Sequence, residues 1–284
     1  MILVTGASGH LGQLVVQQLV QKVPAGQVVA GVRDPGKATA LAALGVQVRA
    51  LDYTKPETIA AALAGVDRVL LISSNQVGQR LVQHQAVIEA ATQAGVKLLA
   101  YTSILHADTT RMALAGEHKA TEEAIKASGV PYVFLRNGWY TENYTDNLAP
   151  ALEHGAMLGS AGEGKVAPAS RADYAAAAVA VLTGAGHENK VYELAGDRAV
   201  TLTELAAEVA RLSGKPVIYK DLPEAEYAGF LASVGLPKAF ADILANSDVG
   251  ITRGELNDTS GDLHRLIGRA TTPIQDTIAA ALER

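Results

Sequence analysis

The stretch Thr5-Gly6-Ala7-Ser8-Gly9-His10-Leu11-Gly12 follows directly on the apolar run Ile2–Thr5 and leads into a helix-like run, Leu11–Lys22. A short strand, a glycine turn and a helix in that order read as a phosphate-binding turn. Gly6 allows the tight turn, Gly9 lets backbone approach a pyrophosphate, and Gly12 lets helix and strand pack closely. The helix start adds unpaired N–H groups and the positive end of a dipole. Gly6, Ala7, Ser8, Gly9, His10, Leu11 and Gly12 are the first cofactor candidates, with His10 expected to be exposed. The alternative is a glycine turn of purely structural use, and the surroundings argue against it.

Working outward, five more apolar runs appear at Val28–Val32, Val46–Ala50, Arg68–Ile72, Lys97–Thr102 and Tyr132–Arg136. Helix-like segments separate them: Lys37–Leu44, Pro56–Leu63, Gln79–Ala94 and Glu117–Ser128. Continuous apolar strands alternating with helices predict a parallel sheet covered on both faces. The handedness of crossovers then leaves an α/β, Rossmann-like doubly wound sheet. Gly45, Gly65, Gly95 and Gly129 fall where helices should end. After residue 140 loops lengthen, and Gly, Ser and Pro cluster near Gly155–Ser170. A helix over Arg171–Thr183, a strand over Lys190–Leu194 and a helix capped by Thr201 follow. Pro216–Asn257 reads as a further strand and helices. We expect a dinucleotide-binding unit over 1–150, with parts of 170–195 returning to it. A smaller, mainly substrate-side lobe is expected over 151–284.

The 284 residues are 49% hydrophobic and 19% charged, which excludes a disordered chain. Aromatics at 5% favour helices on a sheet over an aromatic-rich sandwich. There is no cysteine, so thiolate metal sites, disulfides and cysteine nucleophiles are excluded. The net charge of −5 and the lack of a basic stripe argue against a nucleic-acid partner. No apolar stretch approaches the roughly 20 residues of a membrane span. The start of the chain reads as a strand rather than a leader. The expected compartment is the cytoplasm; the oligomeric state stays open.

The second strand ends in Arg33, where a dinucleotide fold that prefers NAD carries an acid. A cation there suits a 2′-phosphate, so NADP(H) is the expected cofactor. Asp34 reads as a helix cap with Pro35 behind it. Lys37 is a second phosphate candidate or a solvated helix-start lysine. Asp52 could meet the adenine or cap a turn. Ser73, Ser74 and Asn75 end the fourth strand and should lie beneath the ribose and diphosphate, or form an ordinary polar loop.

The three glycines, Arg33 and the run Leu135-Arg136-Asn137-Gly138-Trp139-Tyr140 together resemble the NmrA-like branch of the atypical short-chain dehydrogenases. Val191-Tyr192-Glu193-Leu194-Ala195-Gly196 followed by Thr201-Leu-Thr-Glu-Leu is similar to that branch's C-terminal lobe. The resemblance covers nearly the whole chain. Within the branch, Tyr101–Asp108, Arg136–Asn143 and Ser247-Asp248-Val249-Gly250 are most similar to bacterial type 2 NADPH-dependent quinone oxidoreductases, and less closely to triphenylmethane dye reductases. The resemblance implies two-electron reduction of a quinone or similar flat acceptor. A redox-sensing regulator that binds NADP without turnover is the alternative it also allows. A sugar-nucleotide epimerase is disfavoured, as the next observation explains.

Short-chain dehydrogenases use Tyr-x-x-x-Lys on the helix after strand five. Here Leu114 stands near the tyrosine position and His118 near the lysine, with Lys119 one place off. A developing alkoxide needs a positioned acid, so alcohol chemistry is unexpected. A quinone product oxygen has a phenol-like pKa near 10 and tolerates solvent protonation. Asn137, Gly138, Trp139, Tyr140, Thr141 and Glu142 are the remaining cofactor candidates. Asn137 could bond the nicotinamide end, while Trp139 and Tyr140 could wall a substrate slot or serve as core. His106 could donate to a quinone oxygen or lie idle on a loop. No catalytic residue is assigned with certainty. Tyr144 and Ser170-Arg171 could close over the cofactor. The remaining histidines lack metal-ligand spacing, so no metal is expected.

Overall fold

The computed structural model describes residues 1–283. Its first half alternates as the apolar runs require: β1 (Ile2–Val4), α1 (His10–Leu19), β2 (Val28–Val32), α2 (Thr39–Ala42), β3 (Gln47–Ala50), α3 (Pro56–Ala62), β4 (Arg68–Leu71), α4 (Arg80–Gln93), β5 (Leu98–Ile104), α5 (Ala115–Ser128) and β6 (Tyr132–Asn137). Then come α6 (Glu142–Thr145), α7 (Ala149–His154), β7 (Ala156–Gly159), β8 (Lys165–Val166), α8 (Arg171–Thr183) and β9 (Lys190–Leu194). The rest is β10 (Val200–Thr201), α9 (Leu202–Ser213), β11 (Ile218–Asp221), α10 (Glu224–Ser233), α11 (Lys238–Thr252), α12 (Asp262–Ile267) and α13 (Ile274–Leu282).

Seven strands form one parallel sheet in the order β3-β2-β1-β4-β5-β6-β9. Successive residues of each strand feed opposite cores. Val4, Ala30, Leu70 and Ala100 meet Val15, Val16, Ala177 and Val181 of α1 and α8. Leu3, Val69, Leu99 and Phe134 meet Ile59, Val87 and Ile125 of α3, α4 and α5. Strands buried on both faces need no polar alternation, which is why they read as unbroken apolar runs.

Gly45, Gly65, Gly95 and Gly129 have φ of 77, 71, 65 and 74°. This is the left-handed conformation that ends helices and that side chains resist. Lys37–Leu44 is a correction: only Thr39–Ala42 is α-helical, behind a tight 3-10 turn at Pro35–Lys37. The Asp34 side chain caps that turn at the Gly36 N–H, and Gly45 follows the helix in the left-handed conformation. At α9 the Thr201 hydroxyl accepts from the Glu204 N–H (3.0 Å), and the Glu204 carboxylate accepts from the Thr201 N–H (2.8 Å). This reciprocal pair fixes the helix start.

The segment near Gly155–Ser170 is more ordered than its composition suggests. β7 pairs with β11 in parallel, and β8 pairs with β10 antiparallel. Trp139, Met112, Leu202, Ile251 and Leu256 pack together with Ile104, the last residue of β5. That cluster joins the carboxyl end of the sheet to the later elements.

Candidate functional site

β1 has β2 on one side and β4 on the other, so the chain order reverses there. Ligands of open α/β sheets bind outside the carboxyl ends of the strands at such a point. The glycine loop occupies it. Gly6 has φ +57°, and the Gly9 N–H closes back on its carbonyl at 2.9 Å. A Cβ on Gly12 would fall 2.4 Å from the Gly6 carbonyl oxygen and 2.7 Å from the Ala7 Cα. Only a glycine fits that contact. The cap residue of α1 is Gly9, with no side-chain cap and no acid in the first turn. The first N–H groups of α1 are thus left for an anion.

A cleft of about 580 Å³ opens on this loop. Gly6, Ser8, Gly9 and His10 line one side, Arg33 and Asp52 another, and Ser73, Ser74 and Asn75 a third. His10 is exposed, while Ala7 is fully buried and Leu11 nearly so. These two, with Gly12, shape the turn from behind. Asp34 is taken out of play: its Oδ1 accepts from the Gly36 N–H at 3.1 Å and its Oδ2 lies 3.5 Å from Lys37 Nζ. Arg33 remains as the cation at the cleft. Asp52 accepts from the Thr54 N–H (2.9 Å) and hydroxyl (2.7 Å). Those bonds, helped by Lys55 and Arg33, hold its carboxyl below the usual carboxylate range.

Sequence reasoning missed Tyr53, which lines the same cleft. Its hydroxyl lies 2.6 Å from Thr5 Oγ1 and 2.8 Å from the Ile72 carbonyl. The tyrosine sits in a turn with no periodic pattern to mark it. Gln83 was missed too; its Oε1 accepts from the Ser74 hydroxyl.

Ser74 is held from three sides. Its N–H donates to His84 Nε2 (2.9 Å), and its carbonyl accepts from Arg80 Nε (2.6 Å). With Nε2 accepting, His84 Nδ1 carries the proton and donates to Thr121 Oγ1 at 3.0 Å. Burial, with Arg80 adding to it, pulls His84 down to about 3, so the ring is neutral at pH 7. His118 lies in the same layer, buried, with Nδ1 2.7 Å from the Tyr101 hydroxyl. Desolvation drives it well below its ordinary value. Lys119 is exposed. Neither residue restores the missing acid.

The run after β6 is not among the residues lining that cleft. Asn137 is buried, and among the described residues its Oδ1 has no partner; the Thr141 hydroxyl is buried and equally unpartnered there. The Gly138 N–H donates to the Leu194 carbonyl at 2.8 Å. Trp139 packs in the cluster around Ile104. The Tyr140 ring meets the edge of Tyr174 (5.3 Å), with the Arg171 guanidinium 5.1 Å over it. Glu142 accepts from the Arg171 N–H at the start of α8. Arg171 also pairs with Asp146 (2.7 Å), and Ser170 caps α8. The His106 ring is engaged elsewhere. Its Nε2 lies 3.1 Å from the Asn257 carbonyl oxygen, and Glu193 and Asp258 flank it at 3.8 and 3.9 Å. It ties the loop after β5 to residues 257–258 and is not a free donor.

Residues 6–185 match an NAD(P)H-binding family. The chain belongs to it. Within that NAD(P)H-binding family the chain is 55% identical over 279 residues to quinone oxidoreductase 2 of Escherichia coli, covering 98% of each. A crystal structure of an E. coli NADPH-dependent quinone oxidoreductase complexed with NADPH matches at TM-score 0.96, covering 99% of both chains. Citrobacter sp. triphenylmethane reductase complexed with NADP(H) matches at TM-score 0.94 and 43% identity, covering 99% of this chain and all of that one. No helix among the described residues is long and apolar enough to cross a membrane.

Proposed function

We propose that this protein is an NADPH-dependent reductase that reduces a quinone by two electrons to the hydroquinone. The observation that carries the reading is near full-length identity of 55% to quinone oxidoreductase 2. The cleft suits the cofactor. An uncapped helix start, a glycine cradle that a Cβ would fill and Arg33 at the end of β2 fit a dinucleotide with a 2′-phosphate.

The turn Gly6–Gly12 would hold the diphosphate, with Arg33 at the 2′-phosphate and Ser73, Ser74 and Asn75 beneath the ribose. The orphaned Asn137 Oδ1 and Thr141 hydroxyl are suited to the nicotinamide end, since buried polar atoms demand partners. Gly138, Trp139, Tyr140 and Glu142 would shape that end. When bound, NADPH supplies the hydride. The chain's part is to hold an acceptor in register and keep it from water. The absent Tyr-x-x-x-Lys acid fits this chemistry, because a phenol-like oxygen needs only a modest donor. The physiological acceptor is a quinone or similar flat ring, and the compartment the cytoplasm, in keeping with a chain without cysteine.

The experiment is NADPH oxidation by purified protein with benzoquinone-type acceptors, against NADH and a no-acceptor control. Saturable turnover that prefers NADPH is expected. Tight NADPH binding without turnover on quinones or dyes overturns the reading in favour of a redox sensor.

A further inference from the structure

Ser74 lines the cofactor cleft, yet every polar group it carries is already engaged. Its N–H donates to His84 Nε2 at 2.9 Å, and its carbonyl accepts from Arg80 Nε at 2.6 Å. Its hydroxyl donates to Gln83 Oε1 and accepts from the Gln76 N–H at 3.2 Å. Ser74 therefore has no proton left for a ligand. Arg80, Gln83 and His84 stand at helical spacing on the first turns of α4, so one face of that helix grips one residue. Ser73 is held differently. Its N–H is fixed on Thr102 Oγ1 (2.8 Å), and its hydroxyl accepts from the same group at 3.4 Å, which leaves the Ser73 proton to donate.

The grip is backed from α5. His84 Nδ1 meets Thr121 Oγ1 at 3.0 Å, and that hydroxyl donates to the Glu117 carbonyl at 2.8 Å. The Glu117 carboxylate accepts from the Gly78 N–H (3.1 Å) and the Arg80 N–H (3.2 Å) at the far end of the loop. The His84 ring also meets Tyr53, a second residue of the cleft, edge-on at 6.3 Å between centroids. The chain from Ser74 to Arg80 is thus pinned at both ends.

This polar set is costly as mere scaffolding. His84 is fully buried, Arg80 is 6% exposed, and among the described residues Arg80 Nη1 has no partner. A buried cation with an unpaired N–H is unfavourable, and an apolar side chain would fill the space without that loss. What the polar set adds is direction: it fixes both main-chain groups of Ser74. A binding wall must hold its place to within about 0.5 Å, and hydrogen bonds behind it do so. We propose that Arg80, His84 and Glu117, none of which lines the cleft, are positioning residues for NADPH that act through Ser74 and Gly78 to hold the Ser73–Asn75 wall in place before the cofactor arrives. Ser74 supplies placement, while Ser73 and Asn75 supply contacts. The inference rests on NADPH as cofactor and is independent of the acceptor.

The test measures NADPH affinity by fluorescence titration and stability by urea denaturation. The variants are His84→Leu, His84→Gln, Arg80→Met and Glu117→Ala, each titrated under conditions where it is fully folded. His84→Leu and Arg80→Met should bind NADPH about tenfold more weakly, the loss of one buried hydrogen bond to the wall. His84→Gln, whose amide oxygen can accept the Ser74 N–H, should recover most of that affinity. Glu117→Ala should bind a few-fold more weakly. Amide exchange at residues 74–79 should be slow in the free wild type and fast in His84→Leu until NADPH is added. If the two buried variants fail to fold, Glu117→Ala decides, since its side chain is only half-buried. Wild-type NADPH affinity in every folded variant, whatever its stability, overturns the assignment. No NADPH binding by the wild type overturns the cofactor reading itself, and this one with it.

Discussion

Gly12 tolerates no side chain: a methyl there lands on the Gly6 carbonyl and the Ala7 Cα. Gly12→Ala must push α1 away from the loop or distort the loop. We expect a loss of about 1–3 kcal/mol in unfolding free energy and weaker NADPH binding by fluorescence titration. Arg33 tests the charge logic of the cleft. In Arg33→Asp the ratio of kcat/KM for NADPH over NADH should fall at least about tenfold, the cost of roughly one charge-assisted hydrogen bond. The glycines were legible because each answers to backbone geometry set by neighbours in sequence. Arg33 and Asp34 were separable because a capping pattern claims the acid and leaves the cation. Tyr53 and Gln83 were not legible. Tyr53 reaches its place through Thr5 and Ile72, far along the chain, and Gln83 through Ser74 and Gln76 across the irregular β4–α4 turn, and no local period encodes either.

At the scale of elements, the β4–α4–α5 layer is polar yet closed to water. His84 is buried neutral and His118 with it, so both bind fewer protons in the folded chain than in the unfolded one. Their stabilisation is complete above the ordinary histidine value near 6.5 and is lost as pH falls toward 3. Unfolding free energy should drop by up to about 1.4 kcal/mol per pH unit for each ring in that window. His84→Gln should show a slope shallower by one such increment in urea titrations at stepped pH. Arg136 on β6 is the opposite case, a buried cation with its guanidinium forked onto Glu122 of α5 (2.9 and 2.8 Å) and reaching Glu193 (2.8 Å) and Asp108 (2.9 Å). Arg136→Met strands the Glu122 charge and should cost about 3–5 kcal/mol by urea denaturation. Adding Glu122→Met should recover much of it, since an apolar pair carries no desolvation penalty. The five inner strands β2, β1, β4, β5 and β6 were readable because burial on both faces leaves its mark along nearly their whole length, while the edge strands β3 and β9 are partly exposed and keep polar residues. The pairings β7–β11 and β8–β10 were not readable, because β8 (Lys165–Val166), β10 (Val200–Thr201) and β11 (Ile218–Asp221) carry no unbroken apolar run.

At the scale of the molecule, one carboxylate ties the last segment to the sheet layers. Asp173 of α8 is fully buried; it pairs with Arg269 (2.6 Å) and accepts from the Thr272 N–H (2.8 Å). Asp173→Ala removes these together and leaves the Thr272 N–H without its acceptor, a loss of about 1–3 kcal/mol. Hydrogen exchange should rise first across α12 and α13, before α1 or β1 is affected. The seventh strand has a different bearing. β9 pairs with β6, yet residues 138–189 stand between them in sequence. While the chain is being synthesised, β6 therefore leaves the ribosome with one flank open, and that flank stays adhesive until residue 194 has emerged. A nascent protein stalled within this interval is the form that chaperones should capture. Moving the β9 segment ahead of β1 by circular permutation would shorten that exposure without altering the finished fold.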